Sequence, residues 1–350
     1  MKPRIMLIHP SFYIYGGAER QIIELSNYLS NQNYLITIFT TGAINEFKKN
    51  LKDSRLIEAG NLNNLLNLIR IFAPKFEIIN SHNHPAEYML YPRRNKHIWQ
   101  CNEPPEVVLR GGRLPFQEIQ RVKTSVSKAV VISNFDKIRF ENIYGFSPVV
   151  NYPGVRYDYF SKSIEIKKDK DQIILLQPGY ITWTKNQEKT IEVLAEVKKF
   201  YKNVKLILAG WDKDPYKEKI IEIAKKLKVL DDITFTGYID SDEKFRELYN
   251  KCDVSLNPVK TQGGYATIFE SISSGCPTIL SDTFISSDVV SEHGLGIVSK
   301  EEDFVDVTLR TLENLDKIKD QTLKNRIWIK NNLSWDNFGK KYEEIIETLI

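Results

Sequence analysis

A chain of 350 residues and 40.7 kDa exceeds what one hydrophobic core usually holds, so two domains of about 150 to 200 residues are expected and a lone small module is excluded. Hydrophobic residues at 42% and charged residues at 27%, with 17 Gly and 14 Pro spread along the chain, are ordinary globular usage, which rules out long disorder and fibrous repeats. The net charge of +4 divides unevenly: residues 1–158 carry 20 Lys and Arg against 13 Asp and Glu, so the first half is the basic one.

The opening reads as a buried strand (Arg4 to Ile8), a turn containing Gly16 and Gly17, and a helix from about Ala18 to Leu29 with Ile22, Ile23, Leu25 and Leu29 on one face. A strand at Leu35 to Thr40 completes a unit of the length a parallel crossover needs. Further strands at Phe76 to Ser81, His97 to Cys101 and Ala129 to Ser133 continue the alternation, which predicts a doubly wound α/β domain over residues 1–158. NYPGVRYDYF and the charged KSIEIKKDKDQ after it read as a linker. A second series of strands follows at Ile173 to Gln177, Lys205 to Ala209, Ile233 to Thr236, Val254 to Leu256 and Pro277 to Leu280, with helical patterns between them. This places a second Rossmann-like domain at 159–333. Beyond Phe304 the pattern is helical, and 334–350 is expected to pack back toward the first domain.

The longest apolar runs span a few residues against the roughly 20 that cross a bilayer. His9 and Pro10 follow the first strand where a secretory signal would have small residues, so the protein is expected in the cytoplasm. Cys101, Cys252 and Cys276 are odd in number and far apart, which supports neither a disulfide framework nor a zinc site.

Two stretches carry chemistry. Gly16-Gly17 at a strand-to-helix turn allows close backbone approach, and the helix behind it offers free N–H groups to a phosphate. The same pair equally suits a tight turn that needs positive φ; it is not GxGxxG, so no nicotinamide cofactor is indicated. QGGYATIFESISSGCP, residues 262–277, is the stronger signal. A Gly-Gly turn leads into a helix whose first turn presents the amides of Ala266 and Thr267, with Glu270 one turn further in as an acceptor for sugar hydroxyls. Asp212 and Asp214 form the DxD that metal-dependent transferases use, but in a charged loop after a strand they read as solvated acids, and no metal is expected.

QGGYATIFESISSGCP resembles the E-x7-E signature of glycosyltransferase family 4, and other landmarks fall in order along nearly the whole chain. YGGAER resembles that family's N-terminal glycine loop, SHNH its HxH strand end, NYPGVRYDYF its hinge, PGYITWTKN its GRLxxxKG, ITFTGYID its VxFxGxV, and SWDNFGKKYEEII its closing helix. The resemblance implies the GT-B architecture: two Rossmann-like domains with a cleft between them, the nucleotide sugar mainly on the second and the acceptor on the first. It further implies transfer with retention of configuration and no metal or other cofactor, from a donor that would be a UDP- or GDP-sugar.

Carried over by position, Glu270 would bind the ribose, Gly263, Gly264, Tyr265, Ala266 and Thr267 would line the diphosphate and sugar, and Tyr238 would flank the base. Lys185, with Tyr180 beside it, would neutralise the leaving phosphate, and Gly16 and Gly17 would close over the donor. An ammonium fixed there stabilises the departing diphosphate more than the substrate. Three positions depart from the family pattern. Gln262 stands for the first Glu and can hydrogen-bond a sugar but supplies no charge; Tyr180 stands for an Arg; Asn102, in WQCNEPP, stands for a frequent active-site His. Lys185, Gln262 and Asn102 are the candidate catalytic positions. His82 and His84, alternate residues on a strand, and Glu103 are candidates for acceptor contact, each with an ordinary structural reading beside it.

Arg93, Arg94, Lys96 and His97 precede one strand and Arg110, Arg113, Arg121, Lys123 and Lys128 follow it. Such a basic region suits peripheral contact with an anionic membrane at its inner face, or an ordinary solvated surface. A nucleic-acid partner is not expected, since no binding motif accompanies the charge. The sequence therefore points to a glycosyltransferase of hexosyltransferase type acting on a glycan, lipid-linked or small-molecule acceptor. The alternatives are a non-catalytic protein that binds nucleotide sugar or glycan, and a sugar-nucleotide epimerase.

Overall fold

The computed structural model describes residues 2–13, 16–83, 85–90, 96–102, 115–165, 169, 171–212, 215–239, 241–260 and 265–350. The chain folds as two compact units, one of Met1–Gly154 with Trp335–Ile350 and one of Val155–Ser334. The passage into the second unit comes at Val155, whose N–H donates to Leu333 O at 2.7 Å and so ties the VRYDYF segment to that unit.

Unit 1 is built on β1 (Arg4–Ile8), β2 (Leu35–Thr40), β3 (Arg55–Glu58), β4 (Ile78–His82), β5 (Lys96–Cys101), β6 (Lys128–Val131) and β7 (Val149–Val150). They form a seven-stranded parallel sheet in the order β3-β2-β1-β4-β5-β6-β7. Successive residues of a strand face opposite sides, so both faces must be apolar to be covered. Ile5 and Leu7 pack on one face with the helix Gly17–Asn31, while Met6 and Ile8 pack on the other with Leu65 and Ile69 of the helix Leu62–Phe72. The last helix, Trp335–Glu347, joins the first of these cores through Phe338, Tyr342, Ile345 and Ile346. A Cβ at Gly339 would come 2.2 Å from the ring of Tyr28, which is why the two helices can approach there.

Unit 2 carries β8 (Ile173–Pro178), β9 (Val204–Ala209), β10 (Ile233–Phe235), β11 (Val254–Asn257), β12 (Thr278–Ser281) and β13 (Ile297–Ser299) in the order β10-β9-β8-β11-β12-β13, again parallel. Leu175, Leu206 and Leu208 face one core and Ile174, Leu176 and Ala209 the other. In each sheet the order reverses once, between β1 and β4 and between β8 and β11. Ligands of such sheets bind outside the carboxyl ends of the strands at that reversal.

Three strands were not visible in the sequence pattern: β3, β7 and β13. Each is a short edge or near-edge strand of two to four residues with little alternation to announce it. Among the described residues, no helix is long and apolar enough to cross a membrane, and Cys101, Cys252 and Cys276 are buried and unbridged.

Candidate functional site

In unit 2 the reversal point is shaped by two loops. The first leaves β8 through Pro178, Gly179 and Tyr180, makes a single 3-10 turn at Trp183–Lys185, and enters the helix Gln187–Val197 through Asn186. Gly179 has φ +117°, a region closed to side-chain-bearing residues at low cost. Its neighbour Gly210 is required for a different reason: a Cβ there would lie 2.0 Å from Gly179 O. Gly179 N donates to Ala209 O at 2.8 Å and Ile181 N to Trp211 O at 3.0 Å, so the β8 and β9 chains stay paired past the sheet.

Buried amides lock this loop. Gln177 Nε2 donates to Lys185 O at 2.6 Å while its Oε1 accepts from Thr190 at 2.6 Å, and Gln187 Nε2 donates to Tyr180 O at 2.9 Å. Lys185 is half-buried, its stem in ordinary contact range of Gly179. The second loop, after β11, is tied to the first where Lys260 N donates to Thr184 O at 2.9 Å.

The helix Tyr265–Ser273 follows that second loop, with Ala266 and Thr267 half-buried in its first turn and Tyr265 and Glu270 buried. Four backbone N–H groups at a helix start have no partner within the helix, which suits an anion. Glu270 accepts from Tyr249 Oη at 3.5 Å; burial and the Glu270 carboxylate hold the Tyr249 hydroxyl protonated, its pKa well above 10. Gln262, Gly263 and Gly264 lie outside the described residues.

At the carboxyl ends of β8, β9 and β10, Tyr180, Trp211 and Tyr238 are exposed, and the rings of Trp211 and Tyr238 stand edge to face with centroids 6.2 Å apart. Trp211 is a residue that reasoning from the sequence missed, because WDKDP looks like a charged loop. A signal for it was present: PGY, AGW and TGY each place a Gly and an aromatic at a strand end. Asp212 is paired with Lys217 at 2.6 Å, which holds its carboxyl below the usual range; Asp214 is outside the described residues. The described residues contain no cluster of His, Cys, Asp and Glu suited to a metal.

In unit 1 the residues at the reversal point are His9, Asn83 and Asn102, which follow β1, β4 and β5. Gly16 is extended, with φ −120°, and Gly17 is not among the positive-φ residues, so the pair does not serve a left-handed turn. Gly16 instead leaves room for Glu19, whose Oε2 accepts from Gly16 N at 3.0 Å and caps the helix. Burial raises the Glu19 carboxyl pKa, and its Oε1 lies 4.0 Å from His9 Nε2. His9 is neutral, lowered to about 4 by burial. His82 is fully buried beside it, also held neutral, and therefore does not stand at the surface of unit 1 as an acceptor contact would. Asn102 sits at the edge of burial, 9% exposed. His84 and Glu103 lie outside the described residues.

Of the expected basic region, Arg93, Arg94, Arg110 and Arg113 are outside the described residues. Lys96 and Lys128 are exposed, but His97 is fully buried and its pKa is lowered to about 3, so it adds no charge to that region. On the helices Phe116–Ser125 and Asn134–Tyr144, Phe116, Phe135 and Ile138 are exposed among Arg121, Lys123, Lys137 and Arg139.

Residues 160–326 match the family model described as glycosyl transferases group 1. Among curated proteins, the chain is 30% identical over 174 residues to alpha-monoglucosyldiacylglycerol synthase of Streptococcus pneumoniae, covering 49% of this chain and 37% of that one. It is 22% identical over 249 residues to the GDP-mannose-dependent alpha-(1-6)-phosphatidylinositol monomannoside mannosyltransferase of Mycobacterium tuberculosis, covering 65% and 63%. The chain thus spans 37% and 63% of the lengths of these relatives. Among solved structures, a glycosyltransferase from Rickettsia africae superposes with a TM-score of 0.79 at 20% identity over 99% of this chain and 98% of that one. Anabaena HepE in complex with UDP and glucose gives 0.78 at 14% identity over 99% and 100%. The fold is of the GT-B type, as the sequence resemblance implied.

Proposed function

We propose that the chain is a retaining, metal-independent glycosyltransferase that moves a sugar from a UDP- or GDP-sugar to a lipid-linked acceptor. The observation that carries this reading is the unit 2 reversal point, where Lys185, the start of the helix Tyr265–Ser273 and buried Glu270 come from the segment that matches the family model. Glu270 binds the ribose hydroxyls; the helix amides, Gly263 and Gly264 hold the diphosphate. Lys185 neutralises the charge that builds as the nucleoside diphosphate leaves. Tyr238, with Tyr180 and Trp211, flanks the base. Gln262 hydrogen-bonds the transferred sugar, and Asn102 contributes a hydrogen bond to the acceptor.

The lipid acceptor is supported by the relatives, one named a monoglucosyldiacylglycerol synthase and the other a phosphatidylinositol monomannoside mannosyltransferase, and by Phe116 and Ile138 exposed among cations. An apolar residue that inserts beside basic ones that meet anionic headgroups is the pattern of a peripheral contact, here with the cytoplasmic face of a membrane. Co-sedimentation with phosphatidylglycerol vesicles but not with phosphatidylcholine vesicles tests it.

The donor is tested first by thermal stabilisation with UDP-, GDP-, ADP- and dTDP-sugars, since a ligand of the folded state raises its apparent stability. Stabilisation by one nucleotide, weakened about tenfold in affinity or more by Glu270→Ala, supports the assignment. Binding without nucleoside diphosphate release in the presence of any acceptor favours a binding protein, and consumption of the donor without acceptor favours an epimerase.

A further inference from the structure

In unit 1 an unbroken run of side chains crosses the carboxyl ends of β5, β4 and β1. Tyr342, on the last helix, donates to Gln100 Oε1 at 2.6 Å, and Gln100 Nε2 donates to Asn102 Oδ1 at 2.9 Å. Asn102 Nδ2 donates to Asn83 Oδ1 at 2.8 Å, and Asn83 Nδ2 lies 3.1 Å from His9 Nε2. Tyr342 and Gln100 are fully buried, and Asn102 and His9 nearly so.

Each amide has one donating and one accepting end, so three amides in series have two consistent directions. In one, Tyr342 donates and His9 accepts at Nε2. In the other every amide is turned round, His9 donates from Nε2 and Tyr342 accepts. The amides are placed in the first. Tyr342 Oη donates to Gln100 Oε1 at 2.6 Å, so at that end the amide presents its oxygen to the hydroxyl. At the other end the Asn83 amide presents its nitrogen to His9, so Nε2 accepts and the proton of the neutral ring sits on Nδ1. Burial removes the water that could satisfy a broken link, so the amides keep one common direction.

We propose that Tyr342 is a positioning residue: acting through Gln100, it fixes the Asn102 amide so that its nitrogen faces Asn83 and its second Nδ2 hydrogen serves as a donor to a hydroxyl oxygen of the acceptor sugar. None of the hydrogen bonds among the described residues uses that second hydrogen. The acceptor oxygen is oriented there by an N–H and is not deprotonated there. The identity of the ligand rests on the glycosyl-transfer reading; the direction of the chain does not.

The experiment therefore has two arms. In selectively 15N-labelled protein, His9 is expected neutral with the proton on Nδ1, and Tyr342→Phe should shift the side-chain amide signals of Asn102 and Asn83. A His9 protonated at Nε2, or amide signals unmoved by the substitution, overturns the proposal. In the kinetic arm Tyr342→Phe should raise the acceptor KM about tenfold, the worth of one well-placed hydrogen bond, with nucleotide affinity unchanged. In the Asn102→Ala background it should have no further effect; losses that multiply overturn the link between the two residues. Should Tyr342→Phe fail to fold, Gln100→Glu keeps the acceptor for Tyr342 but removes the donor to Asn102, and the same amide signals must move. If the wild type transfers to no acceptor, the functional reading fails while the labelled spectra still decide the direction of the chain.

Discussion

The backbone N–H of Lys260 donates to the carbonyl of Thr184 at 2.9 Å and so joins the loop after β11 to the loop after β8, one residue before Lys185. Residues 76 positions apart in the sequence are thereby fixed in one frame, and the ammonium carrier does not drift relative to the loop that leads into the helix Tyr265–Ser273. A charge held in place before the reaction stabilises a developing charge without a reorganisation cost.

Lys185→Ala should accordingly lower kcat about 100-fold, of the order seen when a preorganised electrostatic partner is removed, while donor affinity changes little. Steady-state kinetics beside direct titration of the nucleotide sugar make the comparison. Equal losses in kcat and affinity would mean that the lysine only anchors the ground state.

Trp211→Ala should weaken nucleotide binding by about 1 to 3 kcal/mol, the usual worth of a base stacked on an aromatic ring, and Trp211→Phe should restore most of it. Calorimetric titration with the free nucleoside diphosphate reads this without any acceptor. An unchanged affinity would remove Trp211 from the base site and leave Tyr238 and Tyr180 in that role.

Gly210→Ala should destabilise unit 2 by about 2 kcal/mol or more, because its Cβ would meet the Gly179 carbonyl at 2.0 Å, a backbone atom that cannot step aside. Gly17→Ala, where nothing lies within 4 Å of the added atom, is the control and should stay within about 0.5 kcal/mol of the wild type in urea denaturation. Equal effects would show that the strands do not approach as described.

Stability should fall as the pH drops from 6.5 toward 5. Burial lowers His9 to about 4 and His97 to about 3 from an ordinary value of 6.5. The unfolded chain takes up these protons below pH 6.5 and the folded chain does not, so acid favours unfolding, by about 1.4 kcal/mol per pH unit for each histidine. Urea midpoints at pH 7, 6 and 5 measure the slope, and His9→Asn should make it shallower. A flat profile would mean that the imidazoles are reached by water.

Treatment with EDTA should leave transfer intact. Asp212 is engaged by Lys217 and the reaction charge is assigned to Lys185 and helix amides, so chelation removes nothing that the mechanism uses. Loss of activity that Mn²⁺ restores would return the DxD at Asp212 and Asp214 to the active site.

The repeated strand and helix pattern was legible in the sequence because strands buried on both faces must be near-continuous apolar runs, as at Ile5 to Ile8 and Ile173 to Leu176. The helix start ahead of Glu270 was legible for a related reason: a Gly-Gly turn leading into an apolar helix is local and is written in adjacent residues. The role of Gly16 was not, since GGAER is equally compatible with a left-handed turn and with an extended backbone that admits the Glu19 carboxylate.

Two parallel α/β units and the residues at their strand ends follow from local sequence, because hydrophobic period and turn chemistry are properties of short segments. Which of those ends meet within a unit depends on the folded chain. That Gly210 must be glycine, that Trp211 stands beside Tyr238, and that Tyr342 reaches Gln100 from 242 positions away all depend on contacts between segments far apart in the chain. Their chemistry is set by burial and direction, which no local pattern of residues encodes.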